Sequence, residues 1–177
     1  SLGAENMNEV MCRFIELAGK KPGFTLIHSA GVEGYEKMVE HLRRTVPDYE
    51  KNGMDVREYI YDMPRVMAAA DLVLCRAGAS TISELTYMHK PTIFVPSPFV
   101  TNNHQFKNAK VVEDAGGALI FEEGWFEPKE LLKAVNDILS SDDKLEKMSA
   151  AMAKLAKPEA TDMICDRIFS LLAENRK

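Results

Sequence analysis

Cysteine is scarce in this chain and poorly placed to pair with itself. Cys12, Cys75 and Cys165 lie far apart with no CxxC spacing. That argues against a disulfide framework or a zinc site and for the reducing cytoplasm. Each cysteine reads as a small buried hydrophobe. No apolar run approaches the roughly eighteen residues a membrane span needs, and no signal-peptide pattern opens the chain. Positive charge is not in excess either: 22 Lys and Arg face 27 Asp and Glu, a net charge of −5. The two signs are interspersed, without the basic face of a nucleic-acid binder. A P-loop lysine, GxSxG and HExxH are all missing. Gly78 stands alone where a dinucleotide fingerprint needs several glycines, so no dinucleotide cofactor is implied. His28, His41 and His89 have no clustered metal-ligand partners; His28 ends a strand within reach of a crevice, whereas His41 and His89 read as surface or packing residues.

What is present is a soluble globular composition, 46% apolar and 28% charged over 177 residues, enough for one domain with a real core. Helical and strand patterns alternate throughout. Ala4 to Ala18 carries a 3.6-residue apolar stripe closed by Gly19. Phe24–Gly31 reads as a strand, Tyr35–Val46 as a helix, Met54–Ile60 as a strand, and Pro64–Ala70 as a short helix with Asp62 as its cap. Strand Leu72–Cys75, helix Thr81–Met88, strand Thr92–Val95, helix His104–Asp114 and strand Ala118–Phe121 follow. Helices over Pro128–Ser140, Asp142–Ala156 and Thr161–Asn175 finish the chain. Short, continuously apolar strands suit a parallel sheet covered on both faces, so the fold class is α/β, a doubly wound, Rossmann-like sheet. Residues 1–177 form a single domain. No strand pattern precedes the first helix, and a βαβ unit needs one. The sequence therefore reads as part of a longer two-domain chain, cut just after a strand.

In an open parallel sheet ligands bind outside the carboxyl ends of the strands, and four loops there carry suitable groups. Ser1-Leu2-Gly3-Ala4 leads into a helix, either as a plain cap or as a phosphate site in which Ser1 adds a hydroxyl. In "LCRAGASTISEL" (Leu74–Leu85) an apolar run stops at Arg76 and small residues open a helix, with Ser80 as its cap. Glu84 either balances the helix dipole or accepts hydrogen bonds from a ribose diol beside a bound diphosphate. "VPSPFVTNNHQFKNA" (Val95–Ala109) is a proline-stiffened polar loop in which Asn102 caps a helix. Its first turn carries His104 and Gln105, equipped for sugar hydroxyls; no acid stands near His104, which favours binding over general-base work. "EYIYDMP" (Glu58–Pro64) offers backbone groups for a planar base, with Tyr59, Ile60 or Met63 as walls or as core.

Together these stretches resemble the C-terminal, donor-binding domain of the MurG family, N-acetylglucosaminyltransferases that convert lipid I to lipid II in bacterial peptidoglycan synthesis. Ser1-Leu2-Gly3-Ala4 is similar to the tail of the family's GGS-x-GA loop, and Asn8 to its following asparagine. "EYIYDMP" resembles the strand-end FI-x-DM, and "ADLVLCRAGASTISEL" the pattern AD-x-V-x-CRSGA-x-T-x-SE. "PTIFVPSPFVTNNHQFKNA" resembles the loop PSP-x-V-x-NHQ-x-x-NA, and "DAGGALIFEE" the strand after it. The likeness covers nearly the whole chain. Ala77 stands where many relatives have serine, and His104 where some have glutamine.

The resemblance implies the C-terminal half of a GT-B glycosyltransferase binding UDP-N-acetylglucosamine. Ser1 would touch the diphosphate. Ala79, Ser80 and Thr81 would hold it through amides and hydroxyl, and Glu84 would take the ribose. Ile60 would pair with uracil through its backbone, beside Met63, while His104 and Gln105 would read the sugar. It also implies an inverting hexosyltransferase reaction needing no cofactor or metal, in keeping with the missing DxD motif. No catalytic residue would lie in these residues; lipid I and the base would be met by an N-terminal domain, leaving this part inactive alone. The whole protein would sit peripherally on the cytoplasmic face of the membrane, with no membrane contact from this domain. Residues 161–177 would return towards the N-terminal domain, with Met163, Ile164, Ile168, Phe169, Leu171 and Leu172 partly exposed. The alternatives are a non-catalytic donor-binding subunit paired with a separate membrane partner, a sugar-nucleotide sensor, and a UDP-sugar epimerase-like domain.

Overall fold

The computed structural model describes residues 2–19 and 22–174. Helices and strands alternate in the order α1 (Leu2–Ala18), β1 (Leu26–Ser29), α2 (Val32–Thr45), β2 (Met54–Arg57), α3 (Met63–Ala69), β3 (Val73–Cys75) and α4 (Ala79–Tyr87). They continue with β4 (Thr92–Phe94), a 3-10 turn (Thr101–Asn103), α5 (His104–Asp114), β5 (Ala118–Ile120), α6 (Pro128–Leu139), α7 (Asp142–Leu155) and α8 (Ala160–Glu174). Every strand pairing is parallel. Among the described residues the strands form two sheets, β1–β2 and β3–β4–β5.

The period of two along the strands separates two cores. Ile93 of β4 packs with Met11, Phe14 and Ile15 of α1, Leu42 of α2 and Leu131 of α6. Its neighbour Phe94 joins Met67 of α3, Leu85 of α4, Val112 of α5 and Met152 of α7. Adjacent side chains of a strand point to opposite faces, so these clusters lie on the two faces of β4. That is the doubly wound arrangement. The wholly buried β4 explains why its sequence is continuously apolar rather than alternating.

Most element boundaries differ from the sequence pattern by one to three residues. β2 ends at Arg57 because the chain then turns: Tyr59 and Tyr61 face solvent, with rings stacked edge to face at 4.9 Å, while Ile60 alone is buried. α4 begins at Ala79, with Gly78 in the cap position. Ser80 is therefore inside the first turn and does not cap the helix. At α5 the cap position belongs to Asn103, not Asn102. Both adopt left-handed backbone angles, φ 51° and 56°, and Asn103 makes no side-chain capping bond. Asparagine tolerates that conformation better than most residues. Asp62 does occupy the cap position of α3, but without a side-chain capping bond.

Cys12 and Cys75 are partly buried, and burial raises both thiols, Cys75 to about 12. Cys165 departs from the expected burial and is exposed, because among the described residues nothing buries α8. Met163, Ile164, Ile168, Phe169, Leu171 and Leu172 are all solvent-facing there, Phe169 at 69%. Among the described residues no helix is long and apolar enough to cross a membrane.

Candidate functional site

The carboxyl ends of β3, β4 and β5 are drawn together by one side chain. Arg76 follows β3 directly, and its Nη1 donates to the carbonyl of Val95, just past β4, at 2.9 Å. The same nitrogen meets Glu123 Oε2 in the loop after β5. Glu123 Oε1 in turn accepts from Asn6 Nδ2 of α1 at 2.8 Å. Thus the arginine that interrupts the apolar run ties three loops and a helix into one rim.

Around this rim α4 starts with bare amides. Gly78 offers no side-chain cap, and the first amides of a helix have no partner inside it. Gly78 itself has φ −69°, open to any residue, and a Cβ there would meet nothing nearer than Thr81 Oγ1 at 3.7 Å. Neither backbone strain nor internal packing requires glycine at this position. Its effect is to leave the approach to the helix start open. Ala79 and Ser80 are exposed and Thr81 is half-buried; Glu84, one turn on, is exposed.

The loop after β4 is ordered by its own polar groups. Ser97 N–H donates to Gln105 Oε1 at 2.9 Å, which pins the loop to the first turn of α5. His104 is exposed, and its Nδ1 lies 3.0 Å from the carbonyl of Thr101. A carbonyl only accepts, so Nδ1 donates, and in the neutral ring Nε2 carries the lone pair. Gln105 is thus partly committed to the fold, a role its amide does not reveal in the sequence. Asn108 Nδ2 approaches Ala77 O at 3.5 Å and joins α5 to the loop before α4.

The loops after β1 and β2 are held differently. Asn8 of α1 is buried; its Nδ2 donates to Ala30 O at 2.8 Å and its Oδ1 accepts from His28 Nε2 at 2.9 Å. Burial lowers the His28 pKa to about 4, so the ring is neutral at pH 7. His28 is therefore spoken for, and this buried pair escaped the sequence reading because its partners lie 20 residues apart. The loop after β2 carries Ile60, only 7% exposed, whose backbone rather than side chain remains for a ligand, and leads to Met63, 40% exposed, at the start of α3. Ser1 lies outside the described residues. His41 pairs with Glu16 at 2.7 Å on the outer surface.

A separate open groove of about 520 Å³ lies between β5, α6 and α7. On its rim Lys133 pairs with Asp137, and it contains none of the loop residues named above. Among the described residues no group of three or more His, Cys, Asp or Glu side chains is placed to hold a metal ion.

The profile of the glycosyltransferase family 28 C-terminal domain matches residues 1–164. The chain is 32% identical over 173 residues to the UDP-N-acetylglucosamine–N-acetylmuramyl-(pentapeptide) pyrophosphoryl-undecaprenol N-acetylglucosamine transferase of Desulforamulus reducens. That match takes in 97% of the chain and 46% of the relative. The enzyme of the same name from Desulforudis audaxviator is 35% identical over 178 residues, 100% of the chain and 48% of the relative. The chain thus spans about half the length of these relatives. Among solved structures, Acinetobacter baumannii MurG superposes with a TM-score of 0.80 at 28% identity, covering 95% of this chain and 49% of that one. The UDP complex of S. aureus MnaA, at 15% identity and TM-score 0.66, covers 96% and 42% and shares the fold. The fold is that of the C-terminal half of a GT-B glycosyltransferase, and the chain belongs to the glycosyltransferase family 28 C-terminal domain family.

Proposed function

We propose that this domain binds UDP-N-acetylglucosamine as the donor half of an inverting N-acetylglucosaminyltransferase that makes lipid II from lipid I. The observation that carries the reading is the start of α4: a glycine the fold does not need, uncapped amides behind it, and an exposed carboxylate one turn further on. Helix N-termini favour phosphate through free amides and the helix dipole. The amides and hydroxyls of Ala79, Ser80 and Thr81 hold the diphosphate in this reading, with Ser1 contributing a hydroxyl. Glu84 accepts from the two ribose hydroxyls. The backbone at Ile60 reads the uracil beside Met63, and His104 Nε2 and the amide of Gln105 meet the sugar.

The chemistry asked of this half is electrostatic. As the glycosidic bond breaks, negative charge grows on the departing UDP, and preorganised amides stabilise it without reorganising. No metal or other cofactor is assigned to that task. The acceptor lipid and the base that activates its hydroxyl belong to the remainder of the polypeptide, so this half transfers no sugar by itself. The whole protein works at the cytoplasmic face of the membrane, held there by that other half.

Gly78→Ala tests the carrying observation. The fold accommodates a methyl group there, so thermal stability should change by no more than about 1 kcal/mol in either direction. Calorimetric affinity for UDP and UDP-N-acetylglucosamine should fall together by roughly tenfold or more, about 1.4 kcal/mol. Unchanged affinity for both would remove the diphosphate from α4. UDP-glucose, titrated in parallel, shows whether the acetamido group is read.

A further inference from the structure

Arg76 ends a half-buried apolar run, where a charged side chain is costly unless paired. Its side chain is 24% exposed and that of Glu123 only 9%. Glu123 Oε2 is shut away from solvent, facing the guanidinium as an ion pair but without a hydrogen-bond partner among the described residues. The pair has four anchor points: the end of β3 through Arg76 itself, the end of β4 through Val95 O, the loop after β5 through Glu123, and α1 through Asn6. The last link joins residues 117 apart in sequence. A plain surface ion pair would span two elements and be screened by water; this one is largely sequestered and spans four.

We propose that Arg76 and Glu123 are positioning residues of the donor site, a strut that fixes the start of α4 relative to the N-terminal turn of α1. The inference rests on the donor-binding reading above. A diphosphate gripped by two helix N-termini needs both at a fixed separation, and a displacement of about 1 Å is enough to cost strongly in a preorganised site. Arg76 follows β3 and precedes Gly78 by two residues, while Asn6 lies in the second turn of α1. The strut therefore connects the two helix starts across the loop ends without itself touching ligand. Its charges cancel each other, which leaves the free amides as the donors offered to the anion.

The competing assignment is direct contact, with the guanidinium binding phosphate. The two differ in what Glu123 does. Under direct contact, Glu123→Gln frees the arginine and leaves nucleotide affinity equal or higher. Under the strut, Glu123→Gln and Arg76→Gln each weaken UDP binding by roughly tenfold, about 1.4 kcal/mol. Their effects are also strongly non-additive, as members of one network are. Arg76→Lys keeps the charge but not the planar fork, and serves if the neutral variants fold poorly.

Calorimetric titration of these variants with UDP decides between the two. Amide hydrogen exchange over Gly78–Thr81 and Val95–Ser97, followed without nucleotide, gives a reading independent of ligand. The strut predicts faster exchange at both segments in the single variants. Wild-type affinity in Glu123→Gln, or unaltered exchange in both single variants, overturns it. Should the wild-type chain bind no UDP, the donor reading fails on that result, and the exchange data alone decide whether the strut orders these loops.

Discussion

The two sheets hold their ligand-side loops by different physics. At the ends of β3, β4 and β5 the fastening is ionic, Arg76 against Glu123. At the end of β1 it is neutral, an amide and an uncharged imidazole, Asn8 and His28. Helix α1 joins both through residues two apart, Asn6 and Asn8. It can do so because Met11, Phe14 and Ile15 anchor it at 2% exposure or less, each burial stabilising by about 1.5–3 kcal/mol. The comparison teaches that one rigid helix allows a charged clamp on one sheet and a neutral one on the other. The two should then fail under different conditions.

The largest expected difference comes from removing one charge. Glu123→Ala takes a carboxylate away from the largely buried Arg76, and breaking such a pair costs about 3 kcal/mol. Denaturant unfolding would show it as a fall in midpoint at constant slope. No comparable loss would mean that the ion pair is as weak as an exposed one.

The neutral clamp should instead be sensitive to pH. The His28 pKa is lowered from its ordinary 6.5 to about 4 in the fold. The group thus contributes stability that is fully present above pH 6.5. As pH falls from there to about 4 the unfolded chain takes up a proton that the folded chain refuses, and stability drops by about 3 kcal/mol across the window. His28→Gln should flatten that part of the profile. A profile equally steep in the variant would place the titrating group elsewhere.

A smaller effect is expected from Gly34→Ala. A Cβ on Gly34 would lie 2.2 Å from Asn8 Nδ2, so the amide must move and its bond to Ala30 lengthens. The cost is about 1–2 kcal/mol, measurable by thermal unfolding. A stabilised variant would show that Asn8 relaxes freely and that the neutral clamp is loose.

Much of this was legible in the sequence because it is local. Alternating helical and strand periods give the order of elements, and the glycine before α4 marks a helix start. What was not legible depends on residues distant in sequence. Nothing near Arg76 announces Glu123, nor does anything near Asn8 announce His28, since folding alone brings them together. Local chemistry also misleads where a residue type has several uses. Ser80 and Asn102 are good capping residues, yet Gly78 and Asn103 hold those positions, because backbone geometry fixed the turn first. Gln105, suited to sugar hydroxyls, also braces its own loop through Ser97. On α8 the apolar stripe gives the face that avoids water but not what covers it.

The most direct test of the account is a calorimetric titration of the chain with UDP-N-acetylglucosamine, wild type beside Glu84→Ala. Glu84 is exposed, so its removal should leave unfolding within about 0.5 kcal/mol of wild type. Saturable binding that the variant weakens by about 1.5–3 kcal/mol, the range for lost charged hydrogen bonds, is the predicted result. Equal affinity of variant and wild type, with both chains folded, would contradict the donor site drawn around α4.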